Sequence, residues 1–481
     1  MEYNEDAGYD VKTASELGYA TSADGRGVNH EDNNPLLTDI VPNSFDDQDT
    51  AVYKRRWYIL ITFSLTAFTQ SAAWNTWGPI ADTAKSVLGW SAADIALLTN
   101  WGPIGYIPTA LFWAWLMDVK GMRVSSLMAS ALVAAGLAIR CIPVPMHLMK
   151  LTMNVGQCLC GIAGPVLMAG PTSISVTWFP PNERTTATAI ASIFAYFGVA
   201  ASFLIGPMIV KDRTTGTNTT MSPINTTELE KGGWAALLFL IAVVYFPAKP
   251  PLPPSRSASI QRVEYKPGIL KLVKSIQFWY LGLAYGLTTG VYAGWGTVVD
   301  IILRNVGTSG VSQSEAAWIG FWGNIAGSIG GLFIARVVDC IGGHIKIILL
   351  ISYGLSGITI GWFLFLRYDI IAFHTVSLYV SLISLGFLLT ASVPLIYELT
   401  VENSYPIAEG ITTIVLTWLN NFFCLLFLVI LMIPSVGTAW MNWMLLSSVV
   451  LAIPLLILFR EKYNRMIVDK LPPNQSSTIQ S

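Results

Sequence analysis

The chain has 481 residues, of which 53% are hydrophobic and only 12% charged, with a net charge of −1. A soluble domain carries about 25% charged residues, and the apolar residues here fall in blocks longer than globular helices, so a soluble globular protein is excluded. No sustained basic, aromatic-interleaved patch points to nucleic acid, and the five cysteines lack metal-ligand spacing, so no metal and no cofactor are expected.

Residues 1–53 are polar and acidic, a composition that predicts a disordered tail. Within it, Asp32 stands four positions before the pair Leu36-Leu37. An acidic residue, three positions and a leucine pair is the dileucine signal read by clathrin adaptor complexes. Lys54-Arg55-Arg56 follows, and then the first apolar span. A 19-residue window predicts about twelve spans, near 57–76, 92–117, 124–142, 148–176, 187–209, 234–246, 278–302, 316–338, 345–366, 375–399, 411–433 and 440–459. The sixth is the exception. Its 13 apolar residues make about 20 Å of helix against a hydrocarbon core of about 30 Å, unless the helix starts earlier, through 226–233. The fold class is therefore an all-α membrane protein with two six-helix halves, 54–246 and 278–459. A Pro-rich, basic linker, 247–277, joins them, and residues 460–481 form a C-terminal tail.

Charge orients these spans. Basic residues precede the first span, follow the last and fill the linker, which places all three on the cytosolic side. The loop 211–231 then faces the lumen and carries two N-glycosylation acceptors, Asn218 and Asn225. Asn474 also matches the acceptor pattern but falls on the cytosolic side.

One local pattern occurs twice. Trp101-Gly102 precedes Asp118 by 17 positions, and Trp322-Gly323 precedes Asp339 by the same number. Each Asp is followed three positions later by a glycine, Gly121 or Gly342. A membrane-length helix followed by the same acidic-glycine turn in both halves marks a duplicated transporter. The two copies resemble the signature of the major facilitator superfamily, as in Asp118-Val119-Lys120-Gly121-Met122-Arg123. A closer resemblance is to solute carrier family 49, the relatives of the feline leukaemia virus subgroup C receptor. It is carried by Trp74-Asn75-Thr76-Trp77-Gly78-Pro79, Trp101-Gly102-Pro103-Ile104-Gly105, Pro250-Pro251-Leu252-Pro253-Pro254 and Glu409-Gly410-Ile411-Thr412, among others.

The resemblance implies alternating-access transport of a small organic nutrient, with pyridoxine exported with protons across the lysosomal membrane as the first substrate reading. Choline, ethanolamine or a haem-type compound is the alternative, and a transport-inactive receptor or scaffold is the alternative of another class. No histidine pair at i, i+4 and no phosphate-binding glycine loop is present, so neither an enzyme nor an ATP-driven pump is expected.

A carrier site belongs at the midplane, on the first and seventh spans. The candidates are Gln70, Trp74, Asn75 and Trp77 on the first, with Tyr292 and Trp295 on the seventh. Trp74 and Trp77, three positions apart, are expected to share one helix face. Relatives hold amine-bearing solutes between a first-span Trp and a seventh-span aromatic, which implies Trp74 and Tyr292. Ionisable groups within spans mark proton paths. Asp300 is the first candidate for coupling, followed by Glu398 and Asp94, and Arg140 lies near the end of the third span. Asp118, Arg123, Glu183, Arg184 and Asp339 are expected to form a cytosolic gate.

Overall fold

The computed structural model describes residues 50–78, 80, 84–85, 88–209, 222–260, 262–303, 311–341, 343–431, 437 and 439–470. Among them are twelve helices of at least 19 residues: α1 (Arg56–Trp74), α2 (Ala92–Val119), α3 (Met122–Arg140), α4 (Met146–Trp178), α5 (Arg184–Ile209), α6 (Ser222–Val244), α7 (Ile276–Thr297), α8 (Gln313–Ile341), α9 (Ile345–Arg367), α10 (Thr375–Ser404), α11 (Glu409–Leu431) and α12 (Ala439–Leu458). Among the described residues, eight helices are long and apolar enough to cross a membrane. Backbone groups in lipid must be satisfied within the segment, and that favours helices throughout.

The packing repeats between the halves. In the first, α1 packs on α5, α4 on α2 and α3, and α3 on α6; in the second, α7 packs on α11, α10 on α8 and α9, and α9 on α12. The halves meet through α5 against α8 and α2 against α11, a symmetric exchange. Glycines on α4 and α10, facing the two Trp-Gly motifs, explain the close approach inside each half. A Cβ on Gly161 of α4 would lie 2.2 Å from the Trp101 carbonyl oxygen of α2, and one on Gly386 of α10 would lie 2.7 Å from the Gly323 carbonyl oxygen of α8. Small residues let helix backbones meet where no hydrophobic force drives them together.

The sixth span is complete. α6 starts at Ser222 and runs 23 residues, about 34 Å. Its apolar run looked short because Glu228 and Lys231 fall inside the helix. The Glu228 carboxylate is buried against Arg140 of α3 at 2.8 Å, so it needs no water. The loop expected at 211–231 is thus helical from residue 222, and Asn225 lies on the first turn of α6. Asn218, Asn474, Asp32, Leu36 and Leu37 lie outside the described residues.

The linker is not featureless. It carries the short helices Arg256–Ser259 and Tyr265–Lys274, the second of which buries Leu272 against Ile407, Ile411 and Phe278. After α12 the chain forms a further helix, Asn464–Lys470, where the sequence suggested only a tail. The start of α1, the end of α12 and the linker share one end of the bundle, here called the linker face.

Candidate functional site

A cavity of about 190 Å³ lies between the halves. α1 and α4 contribute Gln70, Trp74, Asn75 and Met168; α5 contributes Ser192 and Tyr196; α7 contributes Thr289, Tyr292 and Trp295; α8, α10 and α11 add Asn324, Thr390, Tyr397, Asn420 and Asn421. No charged side chain is among the described lining residues.

Five of the six expected substrate residues line it. Trp74 is half-buried, and its indole N–H donates to the Thr99 carbonyl at 2.9 Å. Its ring rests on Gly102, where a Cβ would fall 2.3 Å from Nε1. The glycine of the duplicated motif is therefore the seat of Trp74. Tyr292 and Trp295 stack at 6.5 Å with planes 13° apart, and Trp295 donates to Asn442 Oδ1 at 2.7 Å.

Trp77 is a correction. It is fully buried, packs on Trp90 at 5.1 Å and lies under the Arg140 guanidinium at 5.9 Å, away from the cavity. The i, i+3 argument fails because α1 ends at Trp74, with Asn75 as its C-cap. Trp77 lies beyond the helix, where helical spacing no longer holds.

The amides share one pattern. Asn75 donates to Ser202 Oγ at 2.8 Å, Asn324 to the Gly320 carbonyl at 2.8 Å, Asn420 to Thr289 Oγ1 at 2.7 Å and Asn421 to the Thr417 carbonyl at 2.9 Å. Each amide thus has an N–H engaged by the protein; since an amide carries two N–H donors and an acceptor oxygen, both kinds of group belong to the lining.

Towards the linker face, polar tiers join the halves. Tyr106 of α2 hydrogen-bonds Thr417 of α11, and Thr172 of α4 meets Thr413 of α11 at 2.9 Å. Below them, Thr188 Oγ1 of α5 donates to Glu398 Oε1 of α10 at 2.5 Å. Arg465, from the C-terminal helix, then reaches Glu398 at 2.6 Å and Glu402 at 2.8 Å, all three side chains being buried. Burial opposes the Arg465 charge, but Glu402 and Glu398 hold its guanidinium pKa above the usual arginine value. Asp469, one turn on, pairs with Arg184 of α5 at 2.8 Å and accepts from the Ser257 backbone N–H of the linker at 2.8 Å. Arg262 of the linker pairs with Glu409 of α11 at 2.7 Å.

The expected gate residues divide. Arg184 joins this cluster. Asp339 of α8 accepts from the backbone N–H groups of Thr185 and Thr186 at 3.2 and 2.7 Å and from the Thr186 hydroxyl at 2.7 Å. Its partner is the N-terminus of α5, across the interface, rather than a basic side chain; unpaired N–H groups and the helix dipole make that end an anion site. Glu183 pairs with Arg56 at 2.8 Å inside the first half. Asp118 and the exposed Arg123 make no ion pair among the described residues.

Two of the three coupling candidates, Asp94 and Glu398, are not among the described lining residues of the cavity. Asp94 forms a capping box with Ser91 at the start of α2 and pairs with Lys150. Glu398 belongs to the linker-face cluster. Asp300 falls on the short helix Val299–Leu303, beside the lining residue Val299, with its side chain outside the described part.

Two pseudo-symmetric six-helix halves, a cavity between them with no charged group on its described lining, and polar contacts joining the halves at one end define a multi-pass membrane carrier, and carriers of this class are not enzymes. A profile described as "Major Facilitator Superfamily" matches residues 63–420. A solved structure titled as the transporter FucP in the outward conformation aligns with a TM-score of 0.62 and 13% identity, covering 84% of this chain and 99% of that one. "Solute carrier family 49 member 4 homolog" of Xenopus tropicalis is 38% identical over 431 residues, 87% of this chain and 94% of its own length. "Choline/ethanolamine transporter FLVCR1" of Felis catus is 30% identical over 390 residues, 79% of this chain and 67% of its own length. The chain belongs to the major facilitator superfamily and, within it, to solute carrier family 49.

Proposed function

We propose that this carrier moves pyridoxine, or a solute of the same hydroxylated-pyridine class, out of the lysosome together with protons. Both chain ends then face the cytosol, and clathrin adaptors read Leu36-Leu37. The observation that carries the solute class is the cavity lining. Aromatic rings of Trp74, Tyr292 and Trp295 offer flat apolar walls, and the lining amides and hydroxyls offer hydrogen-bonding groups, acceptors among them, with no charged group on the described lining. Such a lining suits a ring with several hydroxyl donors. It stacks the ring and accepts the hydroxyls without requiring a fixed ion pair. Asp300 is the proposed proton site, beside the cavity.

A second reading, choline or ethanolamine, is supported by the name of the FLVCR1 relative, a choline/ethanolamine transporter, and by the same rings. An aromatic face attracts an organic cation by about 0.5–2 kcal/mol. Choline has one hydroxyl donor, fewer than the lining amides can accept, so the first reading uses the lining more fully. The test is uptake of labelled pyridoxine from acidic medium by cells that display the Leu36→Ala/Leu37→Ala variant at the surface, with unlabelled choline as competitor. Saturable pyridoxine uptake that Trp74→Ala weakens about tenfold in KM is expected, from about 1.4 kcal/mol of lost ring contact. Choline uptake without pyridoxine uptake would replace the first reading by the second.

A further inference from the structure

The end of α1 is held by a buried polar network that none of the cavity residues explains. α1 stops at Trp74, so its last carbonyls lack the helical N–H partners four residues on. Gln157 of α4 donates from Nε2 to the Trp74 carbonyl at 2.8 Å. Arg140 of α3 donates from Nη1 to the Ala73 carbonyl at 3.3 Å and to Gln157 Oε1 at 2.8 Å. Glu228 of α6 balances the guanidinium with two contacts of 2.8 Å. Lys231 of the same helix bonds Thr76 Oγ1, just past the break, at 3.0 Å. Arg140, Gln157 and Glu228 are each no more than 2% exposed.

We propose that Gln157 and Arg140 are positioning residues for the substrate wall: by holding the carbonyl end of α1 they fix where Trp74 stands in the cavity. The inference rests on the reading of Trp74 as a substrate contact. Neither residue lines the cavity, so neither touches the solute. A cation at a helix C-terminus complements the helix dipole, and buried charge at membrane depth is costly unless it is paired and used. Here it is paired, and three helices, α3, α4 and α6, converge on one turn of backbone. The Trp74 ring is fixed separately, by the Thr99 carbonyl and the Gly102 seat. Backbone and ring are therefore held from two directions, leaving the indole one orientation towards the solute.

Gln157→Glu separates positioning from folding. It keeps the side-chain length and the acceptor for Arg140 but lacks the amide donor to the Trp74 carbonyl. The expected result is a KM for pyridoxine uptake raised about tenfold, with kcat and surface level near those of the parent. The double variant Trp74→Ala/Gln157→Glu should be no worse than Trp74→Ala alone, because the second change acts only through Trp74. An unchanged KM in Gln157→Glu, or additive losses in the double variant, would overturn the positioning role while Trp74→Ala still raises KM. Failure of Trp74→Ala to raise KM would instead sink the substrate-wall reading and this inference with it. Thr76→Val, an isosteric change that removes the Lys231 bond and the hydroxyl's own bond to the Ala72 carbonyl of α1 at 2.9 Å, covers the case in which Gln157→Glu does not reach the surface. It should raise KM about threefold, and no change in that variant would count against the network.

Discussion

Replacing Arg465 by alanine should open the linker face. The guanidinium reaches Glu398 at 2.6 Å and Glu402 at 2.8 Å, and both carboxylates are at most 5% exposed. Removing one partner of a buried pair costs about 3–5 kcal/mol, because the remaining charge stays desolvated. Thr188 still donates to Glu398, and the Arg465 and Met466 backbone N–H groups still reach Glu402 at 3.1 Å, so the lower end applies. The loss falls on the state with the linker face closed, since opening lets water reach both carboxylates. About 3 kcal/mol shifts that equilibrium by a factor on the order of a hundred. The assay is thiol labelling of Ser192→Cys, a cavity position, in a cysteine-free background with reagent applied from the linker side. The alanine variant should label at least tenfold faster than its parent. Asp469→Asn, which weakens only the tie to Arg184 and the linker, should fall between the two. Equal labelling rates in the parent and Arg465→Ala, with the protein at normal level, would refute the latch.

Gly102→Ala should raise KM about tenfold at normal surface level, because its Cβ would sit 2.3 Å from Trp74 Nε1 and force the ring off its seat; an unchanged KM would show that the ring does not need that seat. Trp77→Ala should instead cost about 3–5 kcal/mol of stability, read as a lower Tm in detergent, with KM unchanged in the protein that survives. Asn218 and Asn225 should carry glycans and Asn474 none, read by deglycosylation of single Asn→Gln variants; a glycan on Asn474 would reverse the assigned sides. The Leu36→Ala/Leu37→Ala variant should move from lysosomes to the plasma membrane, and unchanged lysosomal staining would reject the signal.

The fold was legible because membrane helices write themselves as long apolar runs and a duplication writes itself twice. The Trp-Gly motif carried more than expected, since Gly102 is the seat of Trp74 and the motif backbone is what Gly161 and Gly386 pack against in the two halves. α6 was the weak point because a window of hydropathy counts Glu228 as exposed charge and cannot see Arg140 on another helix. Trp77 was misplaced for a local reason: the spacing rule presumes a continuous helix, and nothing in Trp74-Asn75-Thr76-Trp77 announces that α1 ends there. The lining amides Asn324, Asn420 and Asn421 were visible as polar residues inside spans, but only the assembled bundle brings their two helices, α8 and α11, to one cavity.

The gate was the least legible part, and the reason lies in the duplication itself. Repetition points to Asp118 and Asp339 as equivalent residues, yet among the described residues only Asp339 is hydrogen-bonded across the interface, where the N-terminus of α5 receives it. The groups that tie the halves at the linker face come largely from segments that are not repeated: Ser257 and Arg262 from the linker, Arg465 and Asp469 from the helix after α12. The two halves are related by an axis along the membrane normal, so the duplication equates half with half and leaves the two ends distinct. The segments that exist once all sit at one end and add contacts that hold the halves together there. Arg465 and Asp469, spaced one turn apart on a single short helix, reach Glu398 of the second half and Arg184 of the first.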